Sequence, residues 1–195
     1  IECVPASGSQ FPIGTTQVCC TARDDQGLTA TCCFDVTVRD SAPPTIDCPG
    51  DIVAECTGPD GAPVVFTVTA SDNCDDDVAI DCTIESGSTF PFGETEVCCT
   101  ATDDTGLTAV CCFTVTVVDT VPPVIDCPDD ITIEIADVTV PVEFEVTATD
   151  LCDPDPRILC DPPSGSSFPA GCSLVVCSAT DDSGNVSVCD FEVCV

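Results

Sequence analysis

Residues 80–119 read IDCTIESGSTFPFGETEVCCTATDDTGLTAVCCFTVTVVD, and this pattern occurs twice more in the chain. It opens the sequence, at residues 1–40, as IECVPASGSQFPIGTTQVCCTARDDQGLTATCCFDVTVRD. It ends the sequence, at residues 158–195, as ILCDPPSGSSFPAGCSLVVCSATDDSGNVSVCDFEVCV. The linkers SAPPTIDCP from Ser41 and TVPPVIDCP from Thr120 also repeat. A period of about 79 residues, the interval from Ile1 to Ile80, predicts a tandem repeat protein.

The repeats divide the chain into three predicted units, residues 1–40, 41–119 and 120–195. The first unit contains only the second half of a repeat, whereas the other two are complete. Its apolar face therefore lacks strands to pack against, and we expect another segment to complete it. No apolar run is long enough to span a membrane and no basic leader opens the chain, so we expect a mature or cropped piece without membrane insertion.

Four runs of the second unit have the alternating, β-branched pattern that is typical of strands. They are bounded by Gly, Pro, Asp and Ser, and they cover Val64–Thr69, Val78–Ile84, Glu96–Thr102 and Leu107–Val118. Helical periodicity is absent. The pattern predicts an all-β protein of tandem immunoglobulin-like β-sandwich domains. The paired prolines of the linkers favour extended backbone, so we expect the domains to be arranged as a rod.

Several ordered blocks of the second unit resemble the hyalin repeat (HYR), a family of extracellular immunoglobulin-like modules. The blocks are PPTIDCP, TASDNC, SGSTFPFGETEV and CTATDDTGL. The resemblance extends in register over nearly the whole chain. It implies a β-sandwich that is used in tandem for cell-surface adhesion and matrix assembly, without enzymatic activity. The doubled cysteines depart from the usual family pattern.

The composition excludes most catalytic chemistry. The 195 residues include 35 Asp and Glu but only three basic residues and no His, which gives a formal net charge of -32. Without His the chain has no Ser/His/Asp or Cys/His nucleophile system and no imidazole metal ligand. So acidic a surface repels nucleic acid phosphates. We therefore expect a protein that is not an enzyme, does not bind nucleic acid and has cations as its natural partners.

The 20 cysteines indicate an oxidising compartment. They include adjacent pairs such as Cys19-Cys20 and Cys98-Cys99 inside strand-like runs, and they form no paired CxxC modules of the zinc-ribbon kind. At this density, cysteines outside metal clusters are typical of extracellular disulfide proteins. We predict an extracellular location, either secreted or at the cell surface.

The register of the last hairpin in each unit predicts one outward disulfide per unit. A turn centred on Thr105 places Cys98 opposite Cys112 and Cys99 opposite Cys111. Only one of two successive cross-strand sites holds the Cα atoms close together, and we choose the pair on the outer face. The predicted disulfides are Cys19–Cys33, Cys98–Cys112 and Cys172–Cys194.

The other cysteines are expected to point inward and to reach other strands, among them Cys20 and Cys32. Their connectivity does not follow from the sequence. The first and third units each keep an odd number of inward cysteines, which predicts a bond to the missing part of a longer chain or to a neighbouring copy.

Acidic loops predict a calcium site at each joint between units. Alternating strand direction puts the loop after residue 71 and the turn at residues 103–104 at one pole, facing the incoming linker. Oxygen ligands from several loops suit Ca²⁺ better than Mg²⁺. The alternative is that these residues only form turns. The candidate ligands are Asp40, Asp72, Asn73, Asp75, Asp103 and Asp104 at the first joint, and Asp119, Asp150, Asp153, Asp181 and Asp182 at the second.

These observations favour a non-enzymatic extracellular structural protein, a disulfide-stapled and calcium-rigidified array that forms a filament, stalk or adhesive fibre. Its expected partners are other copies or the neighbouring repeats of a longer chain, with a cell-surface or matrix molecule as a further candidate. The alternative is a ligand-binding or adhesion-receptor ectodomain, which would show a divergent loop rich in Tyr, Trp or Arg. A third class, a glycosidase that uses paired carboxylates, would require aromatic sugar platforms that this sequence lacks.

Overall fold

The computed structural model describes residues 1–134 and 139–195, and all of the regular structure in these ranges is β-strand. None of the described residues belongs to a helix that is long and apolar enough to cross a membrane. Two compact units are present in the fold. The first comprises Ile1–Asp47, Thr69–Asp81 and Thr100–Val110, and the second comprises Cys48–Val68, Cys82–Cys99 and Cys111–Val195.

The first repeat forms a three-stranded antiparallel sheet. Its strands are β1 (Glu2–Val4), β2 (Gly14–Arg23) and β3 (Thr29–Val38), in the order β1-β2-β3. The long hairpin β2–β3 is in register from Gly14↔Val38 to Arg23↔Thr29. The Asp24 carboxylate closes its turn by accepting hydrogen bonds from the backbone N–H groups of Gln26 and Leu28, both at 2.9 Å.

The second repeat contains a four-stranded sheet and two strand pairs. Its strands are β4 (Thr45–Asp47), β5 (Ile52–Glu55), β6 (Ala62–Pro63), β7 (Thr69–Ser71), β8 (Ala79–Cys82), β9 (Thr89–Phe90), β10 (Gly93–Thr102) and β11 (Thr108–Val118). The sheet has the order β5-β11-β10-β8, and the pairs are β4-β7 and β6-β9. Strand β5 lies parallel to β11 along its outer edge.

The third repeat has the same plan. Its strands are β12 (Val124–Asp126), β13 (Ile131–Thr132), β14 (Thr139–Pro141), β15 (Thr147–Thr149), β16 (Arg157–Asp161), β17 (Ser167–Pro169), β18 (Cys172–Thr180) and β19 (Val186–Cys194). The four-stranded sheet has the order β13-β19-β18-β16, with the pairs β12-β15 and β14-β17. Strand β13 is parallel to β19.

Alternate residues of the long strands form the core of the third repeat. Val175 on β18 and Val193 on β19 are completely buried, and Phe168 on β17 and Phe191 on β19 are nearly so. Successive side chains of a strand point to opposite faces, so these residues share the face toward the paired strands. The rings of Phe144 and Phe191 pack edge-on at 4.9 Å. The predicted all-β sandwich class is therefore confirmed.

The predicted strand Val64–Thr69 is wrong over most of its length, because regular pairing is interrupted there. The hydroxyl of Ser86 accepts a hydrogen bond from the N–H of Phe66 at 2.9 Å and donates one to its carbonyl at 2.7 Å. A side chain thus replaces the neighbouring strand at this point, and β7 begins only at Thr69. Ser164 makes the same two bonds to Phe144 in the third repeat.

Gly61 is a position where we expect alanine to be poorly tolerated. Its φ is +107°, and an added Cβ would overlap the carbonyl oxygen of Phe90. Gly93, with φ +89° and no heavy atom within 4 Å of an added Cβ, provides the matched control. Both variants carry the backbone strain, so Gly61→Ala should be less stable than Gly93→Ala by the cost of the steric overlap, about 1–3 kcal/mol. Urea unfolding followed by circular dichroism measures the difference, and equal stabilities would contradict the close approach.

Candidate functional site

Carboxylates of the first compact unit converge where the linker after β3 meets two loops. Asp40 lies in that linker, Asp72 and Asp75 follow β7, and Asp103 and Asp104 form the turn between β10 and β11. With the thiol of Cys74 they are named the first acidic cluster. One ligand atom from each of Asp40, Asp72 and Cys74 lies within 4.8 Å of the other two.

Local hydrogen bonds fix the two loops of this cluster to each other. The Asp72 carboxylate accepts from the backbone N–H of Cys74 at 2.7 Å, which forms an Asx turn. Asp75 Oδ2 accepts from the backbone N–H of Asp104 at 3.0 Å, so the loop after β7 is tied to the β10–β11 turn. The predicted convergence of linker, loop and turn is therefore present in the structure.

Asp103 is the buried acid of the first acidic cluster, with 5% of its surface exposed. Its Oδ1 accepts hydrogen bonds from the N–H and hydroxyl of Thr105 and from the N–H of Leu107, each at 2.9 Å. Burial acts to raise the pKa of Asp103, but these hydrogen bonds outweigh it and hold the pKa below its usual value. Asp103 Oδ2 is also buried, and no described residue offers it a hydrogen bond. A charged oxygen without a partner fits a bound cation.

Cys74 carries an exposed free thiol beside these carboxylates. Loss of hydration raises its pKa, and the negative charges of Asp40 and Asp72 raise it further. The neutral thiol is therefore favoured over the thiolate.

The second compact unit contains an equivalent arrangement between the second and third repeats. Its members, named the second acidic cluster, are Asp119, Asp150, Asp153, Asp181 and Asp182. The Asx turn recurs, with the N–H of Cys152 donating to Asp150 at 2.7 Å. Asp153 Oδ2 accepts from the N–H of Asp182 at 3.0 Å, as Asp75 does from Asp104. The two clusters thus share one hydrogen-bonding plan.

A disulfide and an amide distinguish the second acidic cluster from the first. Cys152 is bonded to Cys56 of the preceding repeat, and both sulfur atoms lie within 4.8 Å of a carboxylate oxygen of Asp119. The side-chain nitrogen of Asn185 donates to Asp181 Oδ2 at 2.9 Å and to the carbonyl of Asp119 at 3.1 Å. Leu107 occupies the position of Asn185 in the second repeat. Asp181, the buried equivalent of Asp103, therefore has a neutral partner that Asp103 lacks.

Asp119 is buried at this point, with 9% of its surface exposed. Its pKa is raised, first by burial and then by the negative charges of Asp150 and Asp181. The N–H of Val121 donates to its Oδ1 at 3.2 Å and opposes the shift. Burial and the neighbouring carboxylates thus disfavour the charged form of Asp119.

One of the predicted calcium ligands has no equivalent at the second joint. The Asn73 side chain is exposed. Leu151 occupies its position in the third repeat and offers no ligand atom. The other ten predicted residues lie in the two acidic clusters. Calcium binding by these residues stays a prediction.

The three cysteine pairs predicted on the outer faces are disulfide-bonded in the structure. Their Cα–Cα distances are 4.1 Å for Cys19–Cys33 and Cys98–Cys112, and 4.0 Å for Cys172–Cys194. Within each repeat the other bonds join a sheet edge or an outlying segment to the long hairpin. They are Cys3–Cys20, Cys48–Cys111, Cys82–Cys99, Cys127–Cys189 and Cys160–Cys177.

Sequence reasoning missed the bond between repeats and placed two cysteines wrongly. Cys152, the odd cysteine of the third repeat, is bonded to Cys56 of the repeat before it and not to another copy. The sequence did contain a signal for this bond. In the third repeat Ile135 stands at the position of Cys56, while Cys152 is kept, so Cys152 has no partner of that kind in its own repeat. Cys32 and Cys74 were expected to point inward, but both are exposed and neither has a disulfide partner among the described residues. The bond predicted for the odd cysteine of the first unit stays a prediction.

Comparison with known families assigns all three repeats. The HYR domain family matches residues 1–38, 39–117 and 118–195. The chain belongs to the HYR domain family. HYR domains are adhesion-type modules without enzymatic activity, and the nine disulfides among the described residues fit an extracellular location.

Two sea urchin proteins named hyalin are similar to this HYR chain over 199 aligned residues, 96% of its length. The protein from Strongylocentrotus purpuratus is 35% identical and the one from Lytechinus variegatus is 33% identical. The chain covers 17% and 37% of those proteins. A sushi, von Willebrand factor type A, EGF and pentraxin domain-containing protein from Rattus norvegicus is 34% identical over 163 residues, which are 80% of the chain and 5% of that protein.

Solved structures give a more distant likeness. Extracellular cadherin domains 1–5 of protocadherin gamma B2 align over 93% of the chain and 46% of that structure, at 14% identity and a TM-score of 0.39. The likeness is too low to carry an inference about this HYR chain.

Proposed function

We propose that this chain is a non-enzymatic segment of an extracellular structural array, in which successive HYR repeats are joined covalently and stiffened by Ca²⁺ at their joints. The observation that supports it best is the Cys56–Cys152 disulfide, which links one repeat to the next beside the second acidic cluster. Such a bond limits the freedom of the linker between the two repeats. Hyalin and the sushi-domain protein support the same class of function. The array would form a filament, stalk or adhesive fibre by association with further repeats or copies.

Charge is the reason for expecting a cation at the joints. A formal charge of -32 opposes close contact between successive repeats, and ten of the 35 acidic residues lie in the two acidic clusters. Carboxylates from several loops offer the oxygen ligands that Ca²⁺ accepts in flexible geometry. When bound, the ion would supply positive charge at the joint, held by Asp40, Asp72 and Asp103 in the first acidic cluster.

The two clusters differ in how well they suit an ion. Asp103 Oδ2 lacks a partner among the described residues, whereas Asp181 Oδ2 accepts the amide of Asn185. The first acidic cluster thus leaves a buried negative oxygen to be neutralised, and this supports cation binding there in particular. We expect the first cluster to bind Ca²⁺ more tightly than the second.

Calcium is expected to raise the melting temperature of the intact, disulfide-bonded chain, and a chelator should reverse the change. At a free calcium concentration 100 times the dissociation constant, the stabilisation is about 2.7 kcal/mol. Asp103→Asn should remove most of the shift. Asp35→Asn removes the same charge from an exposed position on β3, outside the first acidic cluster, and should leave the shift unchanged.

Calorimetric scans with Ca²⁺, with Mg²⁺ and with chelator make this measurement. Identical melting in calcium and in chelator would remove the calcium part of the proposal. Equal losses for Asp103→Asn and Asp35→Asn would instead indicate general charge screening rather than a site.

A further inference from the structure

The outer edge of β3 lacks a neighbouring strand that its counterparts have. In the second repeat β5 pairs in parallel with the outer edge of β11, from Val115↔Ile52 to Val118↔Glu55. In the third repeat β13 pairs with β19 in the same way. Strand β3 is the last strand of its sheet, and no described residue forms a ladder with that edge. Its backbone therefore offers hydrogen bonds to an added parallel strand.

An open apolar groove lies on the face of the same sheet. It has a volume of about 260 Å³ and is lined by residues that include Phe11, Val18, Phe34 and Val36. Phe34 is 53% exposed, whereas its equivalents Phe113 and Phe191 are each 3% exposed. The side chains that cover those two rings come from the first halves of the second and third repeats. The groove is thus a sandwich core with one of its layers absent.

Two free cysteines match this arrangement. Cys111 and Cys189, the equivalents of Cys32, are bonded to Cys48 and Cys127 from the first half of their own repeats. Cys32 has no such partner and is exposed.

Cys74 is free in the same sense. Its equivalent Cys152 lies beside Asp119 and is bonded to Cys56, which directly follows β5. Cys74 lies beside Asp40 and has no bond. A strand placed on β3 as β5 is placed on β11 would end near Asp40, so a cysteine following it would reach Cys74.

We propose that one occupant supplies all four missing contacts: the first half of another HYR repeat, equivalent to residues 41–79. It would add a parallel strand to β3, cover the groove, and carry two cysteines with the spacing of Cys48 and Cys56. The first cysteine bonds to Cys32 and the second to Cys74. The occupant comes from another copy or another part of a longer protein, because the first halves of the second and third repeats are already paired within their own repeats.

The two bonds form by thiol–disulfide exchange with an oxidised low-molecular-weight thiol such as glutathione disulfide. A cysteine thiolate attacks the glutathione disulfide and releases one glutathione thiolate, and the partner cysteine then displaces the second. Each new protein disulfide thus oxidises two cysteine thiols and reduces one glutathione disulfide to two glutathione molecules.

The test uses the intact 195-residue protein and a synthetic peptide of residues 41–68, which contains Cys48 and Cys56 as its only cysteines. After incubation in a glutathione redox buffer, mass spectrometry should find one peptide per protein, with four hydrogens lost. Peptide mapping should show Cys32 bonded to the peptide's Cys48, and Cys74 to its Cys56. A peptide with the same two cysteine positions and shuffled intervening residues should give at least ten-fold less adduct.

Two protein variants separate a strand-docking site from simple thiol reactivity. Phe34→Asp places a charge in the groove and should reduce the adduct at least ten-fold. Leu28→Asp changes an exposed residue of the β2–β3 turn and should not reduce it. Peptide maps of Cys3–Cys20 and Cys19–Cys33 verify that both variants are folded.

Three outcomes would overturn the proposal. They are the absence of an adduct, equal yields with the shuffled peptide, and preferential Cys32–Cys32 dimers of the protein in the presence of peptide. None of these results depends on calcium, so the calcium proposal stands or fails separately.

Discussion

Replacing Cys56 and Cys152 together by serine is expected to lower the free energy of unfolding by about 4 kcal/mol. The bond has a sequence separation of 96, and although Cys48–Cys111 and Cys127–Cys189 shorten the loop that it closes, this loop is still longer than that of a short link. The double variant Cys98→Ser/Cys112→Ser is the control, because that bond has a sequence separation of only 14 and should contribute about 3 kcal/mol.

Denaturant unfolding followed by far-ultraviolet circular dichroism can measure both variants, since the chain has no Trp or Tyr to report by fluorescence. The second and third repeats should unfold together in the parent protein and in two separate transitions without the Cys56–Cys152 bond. An equal or smaller loss than that of the Cys98/Cys112 variant would mean that the bond between repeats does not couple them.

Phe191→Ala is expected to destabilise the third repeat by about 3–5 kcal/mol, because its ring is 97% buried and packs against Phe144. The equivalent change in the first repeat, Phe34→Ala, should cost no more than about 0.5 kcal/mol, since that ring is half exposed. The two variants remove the same side chain at equivalent positions of two repeats. At Phe191 the first half of the repeat covers the ring, whereas at Phe34 no such segment is present among the described residues.

Hydrogen exchange measured by mass spectrometry reports each repeat separately. Exchange of the β18 and β19 amides should become on the order of 100-fold faster or more in Phe191→Ala, because every 1.4 kcal/mol corresponds to a factor of ten. The β2 and β3 amides should change little in Phe34→Ala. Comparable increases in the two variants would show that the first repeat is packed as tightly as the third.

The long hairpins could be predicted from the sequence because the residues that determine their register are close together in the chain. A turn between two runs with a two-residue period fixes which residues face each other, so counting from Thr105 places Cys98 opposite Cys112. The same reasoning places Phe113 and Val115 on the inner face, and both are buried. The carboxylates of the acidic clusters could be located because they flank those strands.

Contacts between distant segments could not be predicted in this way. The parallel pairing of β5 with β11 and the Cys56–Cys152 bond depend on where a linker places one repeat against the next, which no local period encodes. The hydrogen bonds of Ser86 could not be predicted either. Nothing in the alternation of Val64–Thr69 indicates that the Ser86 hydroxyl will bond the backbone of Phe66 in place of a neighbouring strand. The unpaired oxygen of Asp103 likewise depends on Leu107 standing where the third repeat has Asn185.

The disulfides also set how far the second and third repeats can be drawn out by a mechanical pull. Cys48–Cys111 and Cys127–Cys189 close segments with sequence separations of 63 and 62. Since a fully extended chain spans about 3.3–3.6 Å per residue, the two separations together correspond to roughly 410–450 Å of slack. A force applied to the two termini passes through these two sulfur–sulfur links, so both repeats can lose their strand pairing under tension without releasing that length. Reduction of Cys56–Cys152 alone would release none of it, because the other two bonds would remain closed.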